Sequence, residues 1–172
     1  MTMREKMLCA ALAAVTFAGC GNVDPIASEI VVNEIGATGN DFVEFANVTS
    51  SPVDVSGYGA TDSSKSGLPK LSRVIRFPAG TIVPPNGLLV VLFEGECPAA
   101  TTAYVCIRGT GAGGISQSRG ENVHMIDPED QIVMTGTYPR TAAPTGWTWG
   151  RFPTGTGSFG VTRRTPGLAN LQ

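Results

Sequence analysis

Two glutamates, Glu34 and Glu44, lie in neighbouring strand-like segments, each with an asparagine close by, Asn33 and Asn47. Paired carboxylates at set separations do acid–base work, as in glycosidases, where one donates a proton and the other acts as base or nucleophile. The same groups serve equally as acceptors in a hydrogen-bond frame, with the two asparagines as partners. The two roles differ in burial: a catalytic pair needs an open pocket, whereas a structural pair hides under a sheet. His124 is the single histidine and falls mid-hairpin. No Gly-x-Ser-x-Gly stretch accompanies it, so no triad is assembled and it is expected on a solvated strand face. Asp127, Glu129 and Asp130 crowd one turn that could collect calcium. They lack the regular spacing of an EF-hand loop, and Pro128 accounts for the turn without metal. Gly109, Gly111, Gly113 and Gly114 are followed by no Lys-Ser or Lys-Thr, so they are read as a flexible loop and not as a phosphate cradle. No catalytic residue, metal or cofactor is assigned.

The cysteines divide by position. Arg4 and Lys6 precede an apolar run from Met7 to Phe17, which ends in the small residues Ala18 and Gly19. A bilayer-spanning helix needs roughly 20 apolar residues, so the plan is that of a secretory signal peptide. Phe17-Ala18-Gly19-Cys20 resembles a bacterial lipobox, with Phe17 where such motifs usually carry an aliphatic residue. The resemblance implies cleavage after residue 19 and acylation of Cys20; a plain signal-peptidase site and an uncleaved anchor are the competing readings. Each buried methylene contributes about 0.8 kcal/mol, and more than one acyl chain gives stable attachment. Gly21, not an aspartate, stands directly after Cys20, which by the same resemblance favours the outer membrane over the inner. Cys9 leaves with the signal, so Cys97 and Cys106 remain as a pair and are expected to bridge in an oxidising envelope. Zinc would need more ligands than these two and His124.

The elements that must position these groups are short strands. Residues 20–28 read as the lipidated cysteine and a tether, and residues 29–172 as one domain, long enough for a core. Glu29–Ile35, Asp41–Val48 and Val53–Tyr58 are β-branched and aromatic runs separated by Gly-, Asn-, Ser- and Pro-rich turns. In the second run Val43 and Phe45 face one way, Phe42 and Glu44 the other. Residues Thr61 to Lys70 read as a loop, and Arg73–Phe77 as a strand. Leu88–Phe93 is apolar at every position, the pattern of a central strand covered on both faces. A further strand is placed at Ala103–Ile107. Asn122–Ile126 and Gln131–Thr135 pair across Asp127–Asp130, with Pro128 at the second position of a type I turn. Trp147–Asn170 reads as short edge strands and turns. Many short strands with turn signals between them predict an all-β sandwich.

These segments, taken in order, resemble a family. Val32-Asn33-Glu34-Ile35, Asp41-Phe42-Val43-Glu44-Phe45-Ala46-Asn47 and Val53-Asp54-Val55-Ser56-Gly57-Tyr58 look like the opening of a lamin-tail domain. Arg76-Phe77-Pro78-Ala79-Gly80-Thr81 and Pro85-Asn86-Gly87-Leu88-Leu89-Val90-Val91 are similar to its middle. Asn122-Val123 and Gln131-Ile132-Val133 resemble its late hairpin. Trp149-Gly150-Arg151-Phe152-Pro153 and Thr165-Pro166-Gly167-Leu168-Ala169-Asn170 resemble its closing motifs. The resemblance implies an immunoglobulin-like β-sandwich that is not itself an enzyme. Because Glu34 and Glu44 fall inside the family's motifs, they are expected to be structural.

The function expected is therefore a lipid-anchored module of the bacterial cell envelope that binds a protein or glycan partner through its loops. The alternatives are an envelope hydrolase using Glu34 and Glu44, or a nucleic-acid-binding accessory module using the Arg140 to Arg164 region. Net charge is −2 over the whole chain, and removal of Arg4, Lys6 and Glu5 makes it slightly more acidic. Such a balance lacks the electrostatic footprint of nucleic-acid binding, although Arg140, Arg151, Arg163 and Arg164 give the last third a basic lean. Asn47-Val48-Thr49 fits a glycosylation pattern that the bacterial lipobox discounts.

Overall fold

Side chains branched at Cβ and aromatic rings pack well on a pleated, half-buried surface, so runs of them favour extended backbone. The computed structural model describes residues 24–97, 103–109 and 113–172. The expected signal segment, Cys20 and Gly111 lie outside the described residues. The strands are β1 (Ile30–Gly36), β2 (Phe42–Asn47), β3 (Val53–Asp54), β4 (Gly59–Asp62), β5 (Ile75–Arg76), β6 (Ile82–Val83), β7 (Leu88–Leu92), β8 (Tyr104–Arg108), β9 (Glu121–Ile126), β10 (Ile132–Tyr138), β11 (Trp147–Phe152) and β12 (Ser158–Arg163). Single 3-10 turns occupy Pro25–Ser28 and Leu71–Arg73.

One six-stranded sheet runs in the order β12-β11-β1-β2-β7-β8, a four-stranded sheet in the order β10-β9-β4-β5, and β3 pairs with β6. The main core lies between them. Ile30, Val32, Ile35, Val43, Phe45, Leu89 and Val91 from the large sheet meet Ala60, Ile75, Val123, Met125 and Tyr138 from the smaller one. At Gly136 on β10 the two layers come so close that a Cβ would stand 2.7 Å from Val32 Cγ1. The chain is an all-β sandwich.

The apolar run at β7 is covered on both faces, as its composition predicts. Leu89 and Val91 enter the main core, while Leu88, Val90 and Leu92 join Phe42, Ala46 and Tyr104 in a second cluster on the outer face. Fully burying one such side chain stabilises by roughly 1.5–3 kcal/mol. β8 pairs with β7 in parallel, and Cys106 on it is disulfide-bonded to Cys97 with Cα atoms 5.9 Å apart. Both cysteines pack on the second cluster.

Four expectations change. Val53–Tyr58 is not one strand: only Val53–Asp54 pairs, because the Asp54 carboxylate accepts from Ser56 N at 2.9 Å and turns the chain. Thr61 and Asp62 do not begin the loop; they extend β4, opposite His124 and Val123 of β9. Arg73 closes a 3-10 turn, and the strand there is Ile75–Arg76. β11 is no edge strand, since it lies between β1 and β12. For β4 and β11 a laddering partner remote in sequence decides the outcome. The β9–β10 hairpin forms as expected, with Asp130 N donating to Asp127 O at 3.2 Å across Pro128.

Closing so short a loop removes chain entropy from the unfolded state. Breaking the bridge in a Cys97→Ser/Cys106→Ser variant is expected to cost roughly 2–3 kcal/mol, read as a lower denaturant midpoint. Alkylation of the unreduced wild type, followed by mass analysis, should leave both cysteines unmodified.

Candidate functional site

The alternation of β1 breaks at Asn33-Glu34. Val32 pairs with Phe45 and Glu34 with Glu44, so Asn33 and Glu34 together stand opposite one residue of β2. Such a bulge adds a residue to one strand and re-aims its side chains. Val32 and Ile35 both reach the core between the sheets, while Asn33, Glu34 and Glu44 gather on the outer face. The segment from Arg164 to Asn170 closes over them.

Every carboxylate oxygen of the pair accepts a hydrogen bond from the protein. Glu34 Oε1 accepts from Thr148 Oγ1 at 2.6 Å and Thr165 N at 3.0 Å, and Oε2 accepts from Thr165 Oγ1 at 3.0 Å. Glu44 Oε1 accepts from Asn33 Nδ2 at 2.7 Å, and Oε2 from Gly167 N at 2.7 Å. Asn33 Oδ1 in turn accepts from Gly155 N at 2.7 Å. Asn170 Nδ2 donates to Arg151 O at 2.7 Å and Asn33 O at 3.3 Å. Both glutamates are 0% exposed. A Cβ at Gly150 of β11 would lie 2.8 Å from Asn170 Nδ2, so the closing segment needs that glycine.

Burial pushes the Glu34 carboxyl above its usual range, against the hydrogen bonds of Thr148 and Thr165. Glu44 is pushed up to about 8, first by burial and then by the charge of Glu34. Neutralising one of two buried carboxylates is the expected response when neither can be hydrated. Arg164 lies over the Phe42 ring at 4.7 Å and donates to Thr38 O at 3.1 Å, and its field favours the charged form of Glu34. The cluster can hold a proton, but its oxygens are already engaged.

The structure separates the other predicted residues from this cluster. Asn47 is no partner of the glutamates. Its Nδ2 donates to Ser51 O, Pro84 O and Val83 O at 2.7, 2.9 and 3.2 Å, and its Oδ1 accepts from Thr49 N at 2.8 Å. Buried and occupied in this way, it offers no amide for glycosylation. His124 is not solvated: it is 2% exposed, with Nδ1 2.9 Å from Thr135 Oγ1 and Nε2 3.1 Å from Gly67 O. Burial lowers its pKa below 6.5. The loop around Gly67, distant in sequence, covers it.

Asp127 Oδ1 accepts from Glu129 N at 2.9 Å and Gln131 N at 2.7 Å, and Asp130 pairs with Arg76. Among the described residues no group of His, Cys, Asp or Glu is arranged to hold a metal ion. Gly109 is buried and donates to Leu92 O at 2.8 Å, and Gly113 and Gly114 lie against the carboxylates of Asp62 and Asp41. The arginines of the last third do not form one patch. Arg151 donates to Val32 O at 2.8 Å and Gly157 O at 2.9 Å, Arg163 stacks over Trp147 at 5.0 Å, and Arg164 serves the closing segment.

One further feature carries no signal in the sequence. A cleft of about 420 Å³ opens between the β4–β5 connection and the ends of β9 and β10, rimmed by Lys65, Arg119 and Arg140. Its wall includes the buried Glu121, whose Oε2 accepts from Ser116 N at 2.7 Å. Lys70 behind it pairs with Asp62 and, at 3.3 Å, with Glu121.

A carboxyl whose pKa is raised on folding contributes stability that is full below its unfolded value and lost as pH rises through the folded one. For Glu44 that window runs from 4.5 to about 8. Asp41, raised to about 6, and His124, lowered from 6.5, titrate mainly below pH 7. The melting temperature should therefore fall between pH 7 and 8 in the wild type. Glu44→Gln should flatten that slope. It should also lose roughly 1–3 kcal/mol at pH 6.5, since its amide must face a donor, Asn33 Nδ2 or Gly167 N.

The chain matches no protein-family model and no curated protein.

Proposed function

We propose that the chain is a lipid-anchored, non-catalytic interaction module of the bacterial cell envelope, an immunoglobulin-like sandwich of lamin-tail type that holds a protein or glycan partner through its loops. One observation carries the non-catalytic part: all four oxygens of Glu34 and Glu44 accept hydrogen bonds from the chain itself, at 0% exposure. A general acid must come within hydrogen-bond reach of the substrate, and here the closing segment occupies that space. The binding part draws on loops held by rigid strands, the usual placement of recognition groups. The anchor draws on the basic, apolar and small-residue order that ends at Cys20.

The hydrolase alternative has one observation in its favour. A carboxyl near 8 beside a second carboxyl is the pairing a general acid uses at neutral pH. Nucleic-acid binding is less favoured, because Arg151, Arg163 and Arg164 are committed to the chain's own carbonyls and rings.

Labelling with fatty acid should mark the wild type and not Cys20→Ala; equal labelling of both removes the anchor from the reading. Crosslinking of the full chain in cells should capture a partner. Recovery of none, together with turnover of a polysaccharide or phosphoester that Glu44→Gln abolishes, would replace the module with the enzyme.

A further inference from the structure

We infer that the cleft rimmed by Lys65, Arg119 and Arg140 is a binding site for an acidic, uronate-bearing oligosaccharide. The inference rests on the interaction-module reading and names the partner class for one of its loop clusters. Lys70, Arg76 and Arg108 each pair with an acid. Lys65, Arg119 and Arg140 are exposed, and none has an acid within salt-bridge distance among the described residues. In a chain of net charge −2, three unpaired cations around one concavity concentrate positive potential where a ligand would sit.

The local backbone is built to hold them there. Gly120, at φ 74°, lies so close to β10 that a Cβ would stand 2.7 Å from Arg140 N and 2.9 Å from Tyr138 O. Only a residue without a side chain lets the backbone beside Arg119 lie against that of Arg140. Ser116 O accepts from Gly120 N at 2.9 Å, and Glu121 accepts from Ser116 N, which closes the loop on itself.

The lining selects the ligand class. Guanidinium forks match planar carboxylates in bidentate geometry. Between the cations stand neutral groups suited to hydroxyls. Asn122 Oδ1 accepts from Thr137 Oγ1 at 2.9 Å and its N donates to Ser63 Oγ at 3.1 Å, which leaves Nδ2 without an acceptor among the described residues. The one aromatic residue of the lining, Tyr138, is buried, so the cleft offers neither the stacking platform that single-stranded nucleic acids use nor an aromatic anchor for a protein. Its volume falls within the range of small-ligand sites. A chain of carboxylated sugars satisfies both the cations and the polar groups between them.

The test is calorimetric titration of the full-length chain with oligogalacturonate, the matching neutral oligosaccharide, poly-glutamate and single-stranded DNA. Oligogalacturonate should bind, more weakly as salt rises, and the other three should bind at least about tenfold more weakly, a difference of about 1.4 kcal/mol. Arg119→Ala/Arg140→Ala should reduce oligogalacturonate affinity about tenfold or more, with an unchanged melting temperature because both side chains are exposed. Arg119→Lys/Arg140→Lys should fall between, as charge remains but the forks do not. Equal binding of poly-glutamate or DNA, unchanged affinity in the alanine variant, or no binding of oligogalacturonate would overturn the inference. Capture of a partner in cells without oligogalacturonate binding sinks the cleft and leaves the module standing. Oligogalacturonate binding accompanied by cleavage that Glu44→Gln abolishes sinks the module and leaves the cleft.

Discussion

Two carboxylates buried side by side on adjacent strands are the constraint around which the large sheet is arranged. Neither can be hydrated, and each unsatisfied polar atom at such a depth costs roughly 1–3 kcal/mol, more when charged. The chain meets this demand with donors from four residues: Asn33 of the bulge, Thr148 of β11, and Thr165 and Gly167 of the closing segment, with Asn170 bracing Asn33. Because those donors come from both ends of the domain, the cluster ties β1 and β2 to the last residues of the chain. The bulge makes the arrangement possible. It turns Asn33 and Glu34 to the outer face together while Val32 and Ile35 keep their places in the core.

A fully engaged carboxylate cluster gives register and closure to the fold. An apolar cluster shares the same outer face. Phe42, Ala46, Leu88, Val90 and Leu92 continue that face across β2 and β7, and Tyr104 covers them against Gly167 of the same closing segment. One strap of backbone therefore caps both a polar and an apolar patch of one sheet, and β7 becomes buried on two sides.

Polar groups elsewhere are arranged in the opposite manner. Around the cleft between the β4–β5 connection and the ends of β9 and β10, the inner layer of buried Asp62 and Glu121 with half-buried Lys70 is paired, whereas the outer cations are not. Asp62 Oδ1 alone in that layer has no partner among the described residues. Groups satisfied by the chain build the scaffold; groups left unsatisfied at its surface are those available to a ligand. That contrast separates Glu34 and Glu44 from Lys65, Arg119 and Arg140 more sharply than residue type does.

The sequence by itself determined the strand class, the doubly covered β7, the β9–β10 turn at Pro128 and the Cys97–Cys106 pair, because each follows from local pattern or from a short list of possible partners. It also marked Glu34 and Glu44 as a pair. Only the tertiary structure decided what they bond to, since their donors lie as far as 131 residues away. The same distance rule accounts for the misread residues. His124 is buried because Gly67, 57 residues earlier, reaches over it, and Asn47 turns to Val83 and Pro84, 36 and 37 residues on, instead of to the carboxylates. The cleft was illegible for a further reason. Its three cations come from three separate segments, each an ordinary exposed basic residue, and only the close approach at Gly120 sets Arg119 beside Arg140. Periodicity reports which face a residue occupies; which remote groups meet it there is settled by packing.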